Sequence, residues 1–187
     1  MKTFFSLCML LLAMGSVKKS HCGNQDATPL QTVAHVDLNR YIGTWYEIAK
    51  IPNSFQRQCQ CGTTAQYALL PDGRIEIINA CVKKDDSISR AAGIARVVDA
   101  NSNAKLKISF VSLLGIRLFW GDYWIIGLDE NYQWAIVGTP GRKYGWILGR
   151  APILNESTLK KIYEQLDTLG YNPEDFKPST PCAQKPE

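Results

Sequence analysis

The sequence predicts an all-β protein: an eight-stranded antiparallel up-and-down β-barrel with one α-helix packed outside it near the C-terminus. Three observations lead there. Apolar and β-branched segments recur from Gly43 to Arg150 with turn signals between them, the pattern of an antiparallel meander. The connections alternate between short polar turns and longer, bulkier stretches. Beyond Pro152 a single helical pattern replaces the strand texture.

In order, the segments read as strands over 43–51, 60–70, 74–82, 89–99, 105–111, 121–128, 132–139 and 144–150. Pro71-Asp72-Gly73, Asn101-Ser102-Asn103 and Asp129-Glu130-Asn131 are short polar turns, with Asp-Gly a strong hairpin signal. The connections over 51–58, 83–88, 112–120 and 139–143 are longer and bulkier. In an up-and-down meander alternate connections lie at opposite ends. One end is therefore expected to close with tight turns and the other to open among large loops. Eight strands leave an interior wide enough for one small ligand, and closure removes exposed sheet edges. After Arg150, Pro152 ends the last strand and Asn155 caps a helix expected over 155–169. Leu159, Ile162, Tyr163, Leu166 and Leu169 form its one apolar stripe, which should lie on the barrel's outer wall, and Gly170 suits the stop. Asn155-Glu156-Ser157 also fits a glycosylation sequon, which matters in a eukaryotic secretory pathway.

The chain of 187 residues is long enough for one domain with a real core. Its apolar fraction of 45% and charged fraction of 20% are ordinary for a globular protein. The net charge of +4 is mild and no long run of like charges occurs, so no nucleic-acid partner is expected. Met1-Lys2, the apolar stretch from Phe4 to Met14 and Ala13-Met14-Gly15 read as a signal peptide over residues 1–15. Residues 16–35 then read as a flexible linker, 36–182 as the barrel with its helix, and 183–187 as a tail. The product is expected to be exported. Cys22 is a candidate for lipidation, because bacterial lipoproteins are acylated on a cysteine just after the signal, although Lys19-Ser20-His21 is a poor lipobox.

Export sets the reading of the remaining cysteines. Cys59, Cys61, Cys81 and Cys182 are an even set, so two disulfides are the expectation, with three connectivities open. A zinc site is not expected: Cys59-Gln60-Cys61 has the wrong spacing, and strand alternation should keep both sulfurs on one face. Simple register in the Asp72-Gly73 hairpin sets Cys81 opposite Thr64, several residues from either candidate. A bulge near Gly62 or a splayed strand end could close the gap, so register does not choose the pairing.

Gly43-x-Trp45 at the first strand, Leu128-Asp129-Glu130-Asn131-Tyr132 at a later turn and Arg150 at the eighth strand resemble the three motifs of the lipocalin family. The floor logic is physical, since a guanidinium stacks on an indole face and donates to nearby carbonyls. The resemblance runs over residues 36–180 and is strongest to bacterial lipocalins of the Blc type and to apolipoprotein D. It is carried by Arg40-Tyr41-Ile42-Gly43-Thr44-Trp45-Tyr46-Glu47-Ile48-Ala49, Pro71-Asp72-Gly73-Arg74-Ile75, Gly121-Asp122-Tyr123-Trp124 and Trp146-Ile147-Leu148-Gly149-Arg150-Ala151-Pro152. It implies storage or carriage of fatty acids, lysophospholipids or similar amphiphiles, in service of the cell envelope. It implies a floor of Gly43, Trp45, Asp129 and Arg150, and location at the outer membrane or periplasm in a bacterium or secretion in a eukaryote. It also implies the pairing: Blc-like sequences carry cysteines at the places of Cys59 and Cys81, and apolipoprotein D ties this region to its tail. Cys59–Cys81 with Cys61–Cys182 is therefore the expectation, the swapped pairing second.

With Trp45 set inward, alternation puts Glu47 and Ala49 on the same face, and Tyr67, Ile77, Tyr123, Ile125, Val137, Tyr144 and Trp146 inward too. Phe55, in a long connection at the open end, joins these as a candidate ligand contact. About half should simply fill the core. Glu47 either meets a polar head group or is satisfied by neighbouring hydroxyls or water, the second being the commoner case. Residues 113–120, Leu-Leu-Gly-Ile-Arg-Leu-Phe-Trp, are unusually apolar for a loop and read as a lid, a membrane-surface contact or a homodimer face, or else as self-packing across the mouth.

The leading expectation is a lipid carrier without cofactor or metal. An isomerase-like enzyme on the same barrel is the alternative. His21 and His35 both precede the barrel, and no HExxH or GxSxG motif occurs. A protein-interaction module with a filled core is the third reading.

Overall fold

Pairing of the first long strand with the last closes the sheet. The computed structural model describes residues 28–182. The signal peptide, Cys22 and the tail 183–187 lie outside the described residues, as does the linker up to residue 27. A short helix α1 (Leu38–Tyr41) precedes β1 (Gly43–Lys50), β2 (Cys59–Leu69), β3 (Ile75–Lys83), β4 (Ile88–Val97) and β5 (Lys105–Ser109). A separate hairpin of β6 (Val111–Leu113) and β7 (Ile116–Leu118) follows, then β8 (Gly121–Leu128), β9 (Trp134–Gly138) and β10 (Gly145–Gly149). The chain ends with α2 (Glu156–Thr168) and β11 (Lys177–Pro178). All neighbours are antiparallel in the order β10-β9-β8-β5-β4-β3-β2-β1, and β10 pairs back onto β1. The result is an eight-stranded up-and-down barrel, with β11 added beside β1.

Two apolar layers follow from the alternation. Inside the barrel, Trp45, Tyr67, Ile77, Tyr123, Ile125, Val137 and Leu148 pack together with Val36 and Tyr41. Outside it, Ile126, Ile136 and Ile147 meet Ile162 and Leu166 of α2, as the single stripe requires. Asn155 caps that helix, its side chain accepting from Thr158 N at 2.8 Å.

Four local readings change. The fifth strand ends at Ser109, not at 111, because the Ser109 hydroxyl turns to the carbonyls of Val111 and Leu118 and the chain leaves the sheet. Ala49 does not face inward. The register between β1 and β10 slips between Glu47 and Ala49, and Ala49 joins the outer layer under α2. The β2–β3 hairpin pairs Thr64 with Ala80, one residue from the simple register, because its loop is closed by Gly73 N–H on Leu70 O and continued by Leu70 N–H on Arg74 O. Two further slips, between Cys59 and Cys61 and between Cys61 and Thr64, release those cysteines from a common face.

The disulfides are Cys59–Cys81 and Cys61–Cys182. The two slips bring Cys59 opposite Lys83, next to Cys81 on the neighbouring strand. At Gly62 the backbone has φ +62°, and a Cβ there would sit 2.7 Å from Cys182 Sγ. Only glycine lets the tail approach this closely.

Candidate functional site

One end of the barrel is sealed from the first motif outward. Trp45 is fully buried and donates its indole N–H to Tyr41 O at 2.8 Å. The Arg150 guanidinium stacks 3.8 Å from the Trp45 ring centre. Its nitrogens reach the carbonyls of Thr44 (2.9 Å), Arg40 (2.7 Å), Tyr41 (3.1 Å), Ile42 (2.9 Å) and Tyr132 (3.3 Å). These carbonyls belong to the end of α1, the start of β1 and the β8–β9 turn, so one side chain ties three segments. Gly43 has φ +95°, and a Cβ on it would lie 3.3 Å from Arg150 Nη1, which accounts for the glycine of the motif. Asp129 does not touch this stack. Its carboxylate accepts from Asn131 N and Gln133 N and shapes the turn that presents Tyr132 O.

Above the floor lies a cavity of about 630 Å³. Of the residues read as ligand contacts, Glu47, Phe55, Tyr67, Ile77, Tyr123, Val137, Tyr144 and Trp146 line it. Ile125 faces the same interior but lies in the packed core and is not on the cavity wall. Tyr67, Ile77, Tyr123 and Val137 are buried. Phe55, Tyr144 and Trp146 form an aromatic group, with ring centres 5.6 Å apart for Phe55–Tyr144 and 6.2 Å for Tyr144–Trp146. The Cys59–Cys81 bridge also borders the cavity.

Polar groups at the wall are satisfied by one another. Glu47 is buried, and its Oε1 accepts from Lys50 Nζ at 2.6 Å and Ser179 Oγ at 2.5 Å. Its Oε2 accepts from Gln56 Nε2 at 2.7 Å. Gln56 Oε1 in turn accepts from Asn53 Nδ2 and Trp146 Nε1 at 2.8 and 3.2 Å. Of the two readings of Glu47, satisfaction by neighbours describes the structure. A second polar group stands deeper: Tyr123 OH lies 2.8 Å from Tyr41 OH and 2.9 Å from Tyr67 OH. Burial pushes the Tyr67 phenol up to about 12, and raises those of Tyr41 and Tyr123 well above their ordinary value.

Residues 36–181 match the family model of a lipocalin-like domain. The chain belongs to the lipocalin family. The lipocalin is 37% identical over 146 residues to temperature-induced lipocalin-1 of Arabidopsis thaliana, covering 76% of this chain and 78% of that one. It is 34% identical over 145 residues to the outer membrane lipoprotein Blc of Escherichia coli K12, covering 77% and 78%. It is 32% identical over 156 residues to apolipoprotein D of Mus musculus, covering 80% and 78%. Among the described residues of this lipocalin, no helix is long and apolar enough to cross a membrane.

Sequence reasoning missed Gln56, Ser179 and Tyr41. Leu148, also on the cavity wall, was within its reach, since it follows Trp146 by two positions in one strand. Tyr41 gave no signal because it stands in a four-residue helix outside the strand alternation. His35 lies outside the cavity, its ring nitrogen 3.3 Å from Asn101 O. In the mouth segment Leu113 and Ile116 are exposed and Leu114 is 94% exposed, while Phe119, also largely exposed, lines the cavity.

Proposed function

We propose that this lipocalin binds and carries a small lipid, a fatty acid, a lysophospholipid or a similar amphiphile, in its barrel. The observation that carries the reading is the cavity itself: about 630 Å³, walled mainly by aliphatic and aromatic side chains, above a sealed floor. Removing an acyl chain from water gives about 0.8 kcal/mol per buried methylene, enough for useful affinity with few polar contacts. The roles proposed for Glu47, Phe55, Tyr67, Ile77, Tyr123, Val137, Tyr144 and Trp146 are those of cavity wall, with Ile125 supporting it from the core. A binder is favoured over an isomerase-like enzyme because the buried carboxylate is engaged by three donors of the protein itself and the four cysteines among the described residues are bridged. A filled-core interaction module does not fit a cavity of this size.

Two disulfides support an exported protein, and the likeness to Blc supports a place at the cell envelope of a bacterium, with secretion the eukaryotic counterpart. The apolar mouth hairpin supports a lipid surface as the place of exchange. Leu114, at its tip, is held at φ +49°, where a non-glycine residue is disfavoured, and it still faces outward.

Native mass spectrometry of the purified protein, with identification of extracted lipid, tests both ligand and assembly. A co-purified acyl lipid at one per monomer is expected. Failure of the delipidated protein to take up any fatty acid or lysophospholipid would overturn the reading.

A further inference from the structure

The three tyrosine hydroxyls at the deep end of the cavity carry three protons but make only two contacts. Among the described residues they bond one another and no other group. Tyr41 is 3% exposed and does not line the cavity, and its hydroxyl has Tyr123 OH as its partner. Leaving a buried O–H without an acceptor is costly, so Tyr41 donates to Tyr123. Two arrangements remain. Either Tyr123 donates to Tyr67 and Tyr67 has a proton over, or Tyr67 donates to Tyr123 and Tyr123 has a proton over. Tyr67 and Tyr123 both line the cavity, so in each arrangement the spare O–H belongs to a residue of the cavity wall. A phenol keeps its proton at neutral pH, and burial reinforces this for all three.

We infer that the deep end of the cavity is a subsite for a neutral oxygen acceptor, and that the carried lipid bears a carbonyl or hydroxyl oxygen at the end that enters first. The inference rests on the lipid-binding reading above and narrows its ligand class. A methyl-ended chain would place a hydrocarbon against a donor that needs an acceptor, the kind of mismatch by which polar sites reject apolar analogues. A carboxylate is the wrong match, since a lone neutral donor does not compensate a charge taken out of water.

The test compares hexadecanoic acid with its analogue carrying a ketone next to the terminal methyl group, titrated into the delipidated protein. Wild type is expected to prefer the keto acid by roughly three- to tenfold, the range of one net hydrogen bond. Tyr41→Phe and Tyr67→Phe should each keep the preference, because a donor still faces the cavity. The triple variant Tyr41→Phe/Tyr67→Phe/Tyr123→Phe removes all three hydroxyls, strands none, and should abolish it while binding hexadecanoic acid at least as well. The carbonyl stretch of the bound ketone should fall in wild type relative to the triple variant, which reports the hydrogen bond independently of affinity. Equal affinity of wild type for both acids, or a preference that survives the triple change, overturns the subsite and leaves lipid binding standing. Uptake of neither acid overturns both.

Discussion

Ser179, in the tail beyond α2, donates its hydroxyl to Glu47 on β1 at 2.5 Å. The contact joins the ligand cavity to a segment held by Ser179 N–H on Ile48 O, Gly62 N–H on Thr180 O and the Cys61–Cys182 bridge. Glu47 is thus one corner of a closed network and not a free anion awaiting a head group. Removing Ser179 Oγ takes one of three donors from a buried carboxylate. Ser179→Ala should cost about 1–3 kcal/mol in denaturant unfolding, and a cost near zero would show that Lys50 and Gln56 suffice.

The floor gives a second outcome. Trp45→Ala should destabilise by roughly 3–5 kcal/mol, since it empties a fully buried aromatic site. Arg150→Ala should cost less, and Arg150→Lys should recover little, because an ammonium cannot stack flat and reach several carbonyls at once. An unchanged melting curve for Trp45→Ala would contradict the floor as described.

Chain length should control affinity. Each methylene added to a fatty acid is expected to tighten binding by about 0.8 kcal/mol, roughly fourfold, until the cavity is full. Quenching of tryptophan fluorescence, lost in Trp146→Phe, reads the titration. Trp146→Asp or Tyr144→Asp should weaken binding and leave the β-sheet circular dichroism in place. A flat response to chain length would rule out burial as the driving force.

Alkaline pH should unfold the protein through its tyrosines. The folded-state pKa values of Tyr41, Tyr67 and Tyr123 are raised, Tyr67 to about 12, so the stability they contribute is complete below the unfolded value near 10. It is lost as pH rises through the folded values, because the unfolded chain releases these protons first. Each tyrosine should lower stability by about 1.4 kcal/mol per pH unit in that window. Tyrosinate absorbance followed beside circular dichroism checks this: the three phenols should ionise only as the sheet melts. The triple phenylalanine variant should show a shallower alkaline slope.

The two bridges should differ in weight. Cys61–Cys182 spans 121 positions and Cys59–Cys81 spans 22. In the chain-entropy model these correspond to about 4–5 and about 3 kcal/mol. Cys182→Ser paired with Cys61→Ser should therefore lower the melting temperature more than the Cys59/Cys81 double replacement. Equal losses would mean that the tail docks without its bridge.

How much of this was legible varies by element. The barrel strands could be read because each buries one face and carries period-two alternation, and α2 because Ile162 and Leu166 sit on its one apolar stripe. The mouth hairpin escaped notice because its two-residue turn is Leu114-Gly115. Leucine at φ +49° is not a turn residue that sequence would suggest. Ala49 was misplaced because a bulge is invisible to strict alternation. Gln56 and Ser179 reach Glu47 from a loop and from the tail, and a contact spanning 132 positions leaves no mark on local pattern. The tyrosine cluster was half visible: Tyr67 and Tyr123 follow strand parity, and Tyr41 does not.

The guanidinium that fastens five carbonyls beneath the barrel shuts that end, so among the described residues the vessel is filled and emptied from the opposite one. Whatever enters last must leave first, and a newcomer cannot push a resident out from behind. Exchange is then governed by how often the doorway is vacated. The rate at which a labelled occupant departs should stay the same however much unlabelled competitor is added.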